Sequence, residues 1–226
     1  MNKIFVMIFM AGTLLALNTG CDKKSGDENS GEFVINAQVE DSWGFNDHIT
    51  SVKALMYRED DDDKIEIASS IFENEGFKLT LPSTSPAYRL YVINEDFDEN
   101  FKGTISNPQA MWGGIHIKAF NESEDYIGGL YLEDFEKDIY TIFIYVDGDV
   151  TIKGNIHGKV YEVEYDCSLK KGWNIMYEIF KEKELFYITN KPSDANLKWL
   201  FYYNPDTWKT YPDNFKKHRN LWKIDY

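Results

Sequence analysis

The sequence predicts an all-β protein with two antiparallel β domains, preceded by an export leader and a flexible tether. Short segments that alternate apolar and polar residues recur along most of the chain, and this is the period of a half-buried strand. Aromatic residues, which favour strands, make up 16% of the chain. Glycine, proline, asparagine and aspartate stand between the alternating segments, where turns are expected. These observations together predict strands rather than helices.

Residues 1–20 are expected to form the export leader. Lys3 supplies a positive charge ahead of an almost unbroken apolar run from Ile4 to Leu17. That run is shorter than the roughly 20 residues that a helix needs to cross a bilayer core. Small residues then precede Cys21, as they do at a cleavage site. The segment therefore predicts export and not a membrane span.

The stretch LNTGC, which ends at Cys21, resembles the lipobox of bacterial lipoproteins of the Bacteroidetes type. Asn18 departs from that motif, which usually has a small or aliphatic residue at this position. The resemblance implies a diacylglyceryl group on the sulfur of Cys21 and cleavage just before it. It also implies a lipid anchor in the outer membrane, facing either the periplasm or the surface. The alternative is an ordinary secretory leader followed by an unrelated cysteine.

Residues 21–31 are expected to be a flexible tether between the lipid and the folded part. After Cys21 the tether reads DKKSGDENSG and has no apolar residue to bury. Its serine, glycine and charged residues favour an extended, mobile chain. The folded part is therefore expected to begin at residue 32.

The charge of the chain limits its partners. The formal net charge is −14 at pH 7, from 38 acidic and 24 basic residues. Such a chain offers no attraction to phosphate backbones or anionic lipid heads. Nucleic acid is therefore excluded as an expected partner, and membrane contact is expected only through Cys21.

Residues 32–106 are predicted to form the first β domain. Phe33–Val39 has one clearly apolar face, and Gly76–Leu81 alternates strictly until Pro82, which cannot continue a ladder. The order of these segments is similar to transthyretin-like or carboxypeptidase-regulatory-like β-sandwich modules, which implies a sandwich without catalytic residues. Other strands are expected at Ser51–Arg58, Lys64–Ser70 and Ala87–Asn94.

A domain boundary is expected in the segment 94–112, which is polar and irregular and contains the break Asn107-Pro108. Residues 110–226 are then predicted to form a second antiparallel domain, sandwich-like or barrel-like, with an aromatic tail after Asn204. Its densest alternation lies between Ile139 and Phe180. The hairpin DCSLKKGWNIMY and the segment YVDGDVTIKG resemble a pattern in uncharacterised Bacteroidetes-type lipoproteins, which implies a family context and no activity.

The aromatic tail provides the candidate ligand-binding residues, which are Trp208, Tyr211 and Trp222. Rings of this kind stack on sugars when they are exposed, and they also bury about 150–250 Å² each when they pack on a sheet. Packing is the favoured interpretation, and binding applies to whichever rings stay exposed. The same alternatives apply to Trp112, Trp199, Tyr202 and Tyr203.

No catalytic, metal or cofactor site is expected from the remaining residues. Cys167 falls on the apolar face of its strand, which predicts a buried, inert thiol. The chain has four histidines without ligand-like spacing, and no nucleotide, zinc-protease or serine-hydrolase motif. Asp96, Asp98 and Asn100 are spaced like the first ligands of an EF-hand, but Phe101 replaces the required glycine. The pair in Asp147-Gly148-Asp149 is expected to form a turn.

The sequence therefore predicts a non-catalytic binding or accessory module of the cell envelope, held to the membrane by the lipid on Cys21. Its partner would be a glycan, a peptide or an outer-membrane complex. The alternative is a structural or adhesive surface component without a small ligand. A glycoside hydrolase-like enzyme is a more distant alternative, because nothing in the sequence singles out two of its many carboxylates.

Overall fold

The computed structural model describes residues 32–204, apart from short gaps at 41–43, 59–60, 87–89, 98–99, 159–160, 183–184 and 191–193. The regular secondary structure of this part of the chain consists of β-strands and two short 3₁₀ helices, at Asn46–His48 and Ile93–Asp96. The strands are β1 (Phe33–Glu40), β2 (Ser51–Arg58), β3 (Asp61–Ile71), β4 (Gly76–Leu81), β5 (Tyr91–Val92), β6 (Phe101–Ile105), β7 (Met111–Phe120), β8 (Tyr126–Asp134), β9 (Ile139–Val146), β10 (Val150–His157), β11 (Glu162–Leu169), β12 (Gly172–Glu182), β13 (Leu185–Thr189) and β14 (Lys198–Tyr203).

The predicted all-β class is confirmed, and most strands lie where the alternation places them. In β4, for example, Phe77, Leu79 and Leu81 are buried while Lys78 and Thr80 are exposed. Hydrophobic burial on one face explains this strand, because successive side chains point to opposite sides.

The strands form one mixed sheet in the order β4-β1-β14-β8-β7-β9-β12-β13-β11-β10-β6. Most neighbours are antiparallel, but β1 pairs in parallel with β14, and β11 pairs in parallel with β13. The prediction of purely antiparallel pairing is therefore wrong at these two places. Strand β2 joins the sheet through β7 and also pairs with β3.

Two hydrophobic cores lie on opposite faces of this sheet, and β9 and β12 form the wall between them. Phe143 and Tyr145 of β9 face the first core, whereas the alternating Ile144 and Val146 face the second. The first core collects residues of β1, β2, β4, β7, β8 and β14. The second core collects residues of β10 and β11 together with Ile93.

The predicted domain boundary between 106 and 110 is not confirmed, because pairing and packing both cross it. Strand β1 pairs with β14, and β2 pairs with β7, so strands from both predicted domains share one sheet. The first core likewise contains Leu79 from the first predicted domain and Trp199 from the second.

The segment predicted to be irregular, 94–112, contains more structure than expected. Strand β6 lies within it and pairs with β10, and β7 begins at its end with Met111. Conversely, the strand expected at Ala87–Asn94 is reduced to β5, followed by the 3₁₀ helix Ile93–Asp96. Among the described residues, no helix has the length and apolar character to cross a membrane.

Candidate ligand-binding face

Six aromatic side chains lie on one face of the sheet and form what we call the aromatic band. They belong to β14, β8, β9, β12 and β13 and to the residue just before β11. Two of them, Tyr131 and Tyr161, are 40% and 48% exposed and so are among the most exposed large apolar side chains of the described residues. The band consists of Tyr131, Tyr140, Tyr161, Phe180, Phe186 and Tyr202.

The rings of the band contact one another across neighbouring strands. The ring centroids of Tyr140 and Phe180 are 5.4 Å apart, and those of Phe180 and Phe186 are 4.4 Å apart. Tyr161 continues the row, with its ring centroid 6.4 Å from that of Phe186. All three contacts are T-shaped, which is a favoured geometry because ring edges are positive and ring faces negative. The rings therefore hold one another in place and are half-exposed at the same time.

Tyr131 and Tyr202 form the other end of the band, with ring centroids 5.5 Å apart. The ring of Tyr131 lies over Gly129, where an added Cβ would come within 2.5 Å of a ring carbon. Gly129 thus leaves the space that lets this tyrosine lie along the sheet. Any larger residue there would push the ring away from the face.

Two glutamates flank Tyr140 on the same face of the sheet. Tyr140 is directly opposite Glu133 of β8 on one side and directly opposite Glu178 of β12 on the other. Residues that are directly opposite in an antiparallel pair share a face, with Cβ atoms about 4.5–5.5 Å apart. The band therefore carries two carboxyl groups among its rings.

The two carboxyl groups have different surroundings. Glu133 is only 2% exposed and accepts a hydrogen bond from the hydroxyl of Tyr202. Burial raises the pKa of Glu133, and the Tyr202 hydroxyl acts in the opposite direction. Burial also raises the pKa of the half-buried Glu178. Both shifts have the same main cause, which is the loss of water around a charged group.

Replacing Glu133 by Gln should flatten the pH dependence of stability. Because the folded-state pKa of Glu133 is raised, the folded state keeps a proton that the unfolded state has already lost. The free energy of unfolding should therefore fall as the pH rises from the ordinary glutamate pKa to the raised one. Glutamine does not titrate, so the variant should lose less stability over this interval. Urea unfolding at a series of pH values measures the difference.

The control for this prediction is Glu164→Gln, which makes the same chemical change on an exposed strand position of the opposite face. An unchanged pH profile in Glu133→Gln, equal to that of Glu164→Gln, would contradict the assigned role of burial.

The opposite face of the sheet has a polar depression of about 430 Å³ along β6, β10, β11 and β13. Several of its charged residues form ion pairs: Lys153 pairs with Asp166 at 3.3 Å, and Glu164 pairs with the neighbouring Lys181 at 3.7 Å. His157 lies 3.2 Å from Glu162 at its end. Exposed pairs of this kind contribute about 0–1 kcal/mol each. We interpret this depression as a solvated ladder of ion pairs and not as the ligand site.

The residues that the sequence singles out fall partly outside the described part of the chain. Cys21, Trp208, Tyr211 and Trp222 all lie outside it. Of the other aromatic candidates, Trp199 is 3% exposed and packs in the first core, as the packing interpretation predicts.

The buried position predicted for Cys167 is confirmed. Cys167 is 1% exposed, and burial raises the pKa of its thiol to about 12, which makes it inert. Asp147 and Asp149 stabilise turns: Asp147 accepts the amide of Met111 at 2.8 Å, and Asp149 accepts the amide of Lys171 at 2.9 Å. Within residues 32–204 as described, no group of histidine, cysteine and acidic side chains is arranged to hold a metal ion.

Of the six residues of the aromatic band, the sequence had singled out only Tyr202, although a signal for the others was present. Strands β9, β12 and β13 carry large apolar residues on both faces, and their sequences are IYTIFIYV, GWNIMYEIFKE and LFYIT. A strand that is apolar on both faces is expected to pack against other apolar groups on each side. For β9 and β12, one side is the first core and the other carries the second core and the band.

Comparisons with protein-family models, with curated proteins and with solved structures found no match to this chain.

Proposed function

We propose that this protein is a lipid-anchored, non-catalytic binding module of the bacterial cell envelope, and that the aromatic band is its glycan-binding face. The observation that carries the proposal is the row of half-exposed rings on one rigid sheet face, with hydroxyl and carboxyl groups between them. Sugar rings have apolar faces and polar edges, so aromatic rings interspersed with polar groups complement both. The stretch LNTGC supports the lipid anchor at Cys21.

The position of the band within the sheet favours a glycan over an extended peptide. Peptides in extended form usually bind by adding a strand to a sheet edge, where main-chain groups are unpaired. The band instead lies on strands such as β9 and β12, which have neighbours on both sides. The net charge of −14 disfavours phosphate-bearing polymers.

One end of the sheet gives no support to the alternative function, a structural component that assembles by strand addition. The strand at one end of the sheet is β6, which spans only Phe101–Ile105 and carries the exposed Lys102. Short edges with lysine are typical of strands that avoid pairing with other chains.

Replacing Phe186 by Ala tests the glycan-binding face. Phe186 contacts Phe180 and Tyr161, so its loss should open the middle of the band. We expect glycan affinity to fall about tenfold, which corresponds to about 1.4 kcal/mol. A glycan array first identifies the ligand, and isothermal titration of the full chain purified in detergent then measures the affinity.

The neighbouring Tyr187 provides a matched control, because it lines the polar depression on the opposite face. Tyr187→Ala removes a ring of similar size from an adjacent position and should leave glycan affinity unchanged. Equal losses in Tyr187→Ala and Phe186→Ala, or no glycan on the array, would overturn the proposed function.

A further inference from the structure

Glu178 occupies an unusual position at the centre of the aromatic band. Its half-buried side chain has aromatic and aliphatic neighbours, with Tyr140 directly opposite on β9 and Ile188 directly opposite on β13. Phe180 lies two residues further along the same strand and therefore on the same face. A carboxylate in such a setting loses hydrating water, which costs free energy unless a hydrogen bond or a charge of opposite sign replaces it.

The described residues provide no such partner for Glu178. In the part of the chain that the structure describes, no side chain or main-chain group donates a hydrogen bond to its carboxylate, and no lysine, arginine or histidine forms an ion pair with it. Its raised pKa has burial as its cause, without a contribution from a nearby cation. Burial is the main cause that raises the pKa of Tyr165 to about 12, and the negative charge of Glu178 adds to this shift.

The surroundings of Glu133, which carries the second carboxyl group of the band, do not make the centre of the band less acidic. Glu133 flanks Tyr140 on the other side, and Tyr202 donates its hydroxyl to it. Lys198 lies directly opposite Glu133 on β14, but its ammonium pairs with Glu40 at 2.9 Å. The centre of the band is therefore acidic as well as aromatic.

We propose that this centre, formed by Tyr140, Phe180 and Glu178, binds the ammonium group of an amino sugar within the glycan. The inference rests on the proposed function and adds the chemical class of the ligand. The ammonium would donate to the Glu178 carboxylate and lie against the faces of the flanking rings, while the sugar ring packs on the rest of the band.

Three physical terms support an ammonium group at this place. Hydrogen bonds between an ammonium and a carboxylate are about twice as strong as neutral ones. A cation near an aromatic face is attracted by the negative ring face, and most strongly where water is excluded. The net charge of −14 also attracts cations to the whole surface. A neutral N-acetyl sugar has no positive charge and would gain none of these three effects. Only the stacking of its sugar ring on the aromatic side chains would remain.

The experiment compares two ligands of equal length, an oligomer of glucosamine and its fully N-acetylated counterpart. Both are titrated into the full chain in detergent, into Glu178→Gln and into the control Glu164→Gln, which removes a carboxylate from the opposite face. We expect the unsubstituted protein to bind the amine form at least about tenfold more tightly. Glu178→Gln should abolish this preference and leave the affinity for the N-acetylated form unchanged, and Glu164→Gln should keep the preference.

The outcomes separate this inference from the proposed function. Equal binding of both oligomers, with loss of both in Phe186→Ala, would overturn the ammonium site and leave the glycan-binding face intact. A preference for the amine that persists in Glu178→Gln would also overturn the site. Binding of lysine-containing peptides instead of either oligomer would overturn both proposals.

Discussion

Replacing Cys21 by Ser is expected to abolish lipid attachment and to release the protein from the membrane fraction. The resemblance of LNTGC to a lipobox implies that the Cys21 sulfur carries the acyl chains. Each buried methylene contributes about 0.8 kcal/mol, so two or three chains hold a protein firmly at a bilayer. Serine has no sulfur to modify, and this anchoring energy should be lost completely. Labelling with radioactive palmitate, followed by membrane fractionation, measures both effects.

The chain contains a natural control for this experiment in its second cysteine. Cys167 is buried in the second core, and its Sγ donates a hydrogen bond to the carbonyl of Ile188 at 3.4 Å. Cys167→Ser should therefore keep the palmitate label and the membrane location. Palmitate label that remains in Cys21→Ser, or membrane retention equal to that of the unsubstituted protein, would contradict the lipoprotein assignment.

Replacing Trp199 by Ala should give the largest loss of stability among single substitutions in the first core. Trp199 is 3% exposed and stacks on Phe143 of β9, with ring centroids 5.8 Å apart and planes at 8°. Its ring also makes a T-shaped contact with the ring of Phe77 of β4, with ring centroids 5.2 Å apart. Truncating a buried tryptophan leaves a large cavity and costs about 3–5 kcal/mol. Urea unfolding followed by circular dichroism measures this loss.

The same measurement tests whether residues 32–204 unfold as one unit. Because Trp199 joins strands from both predicted domains, we expect a single transition that moves to lower urea as a whole. Ile71→Ala is the control, since Ile71 is 64% exposed and surface changes usually stay within about 0.5 kcal/mol. Two separate transitions, of which only one responds to Trp199→Ala, would instead support the predicted domain boundary.

The sequence located the strands because hydrophobic burial acts locally. Phe33–Val39 and Gly76–Leu81 could be placed from alternation alone, and the structure has strands β1 and β4 there. The buried position of Cys167 followed from the same period of two. Strand β6 escaped detection because Lys102, Gly103 and Thr104 give it no apolar alternation, so its pairing with β10 defines it.

The arrangement of the strands depended on contacts that are distant in sequence. Nothing in the local pattern of Phe33–Glu40 indicates a parallel partner at the far end of the chain, and yet β1 pairs with β14. This pairing joins the two predicted domains into one sheet. Alternation specifies which residues of a strand share a face, but it does not specify the neighbouring strand.

The features of the candidate site also fall into two groups, those that the sequence alone determines and those that depend on the tertiary structure. The sequence by itself determined the all-β class, the lipobox-like stretch at Cys21 and the acidic charge, because each is a property of composition or of short segments. Only the tertiary structure placed Glu133, Tyr140 and Glu178 side by side on one face. These residues come from three strands, and their proximity is decided by strand order and register, which long-range packing selects.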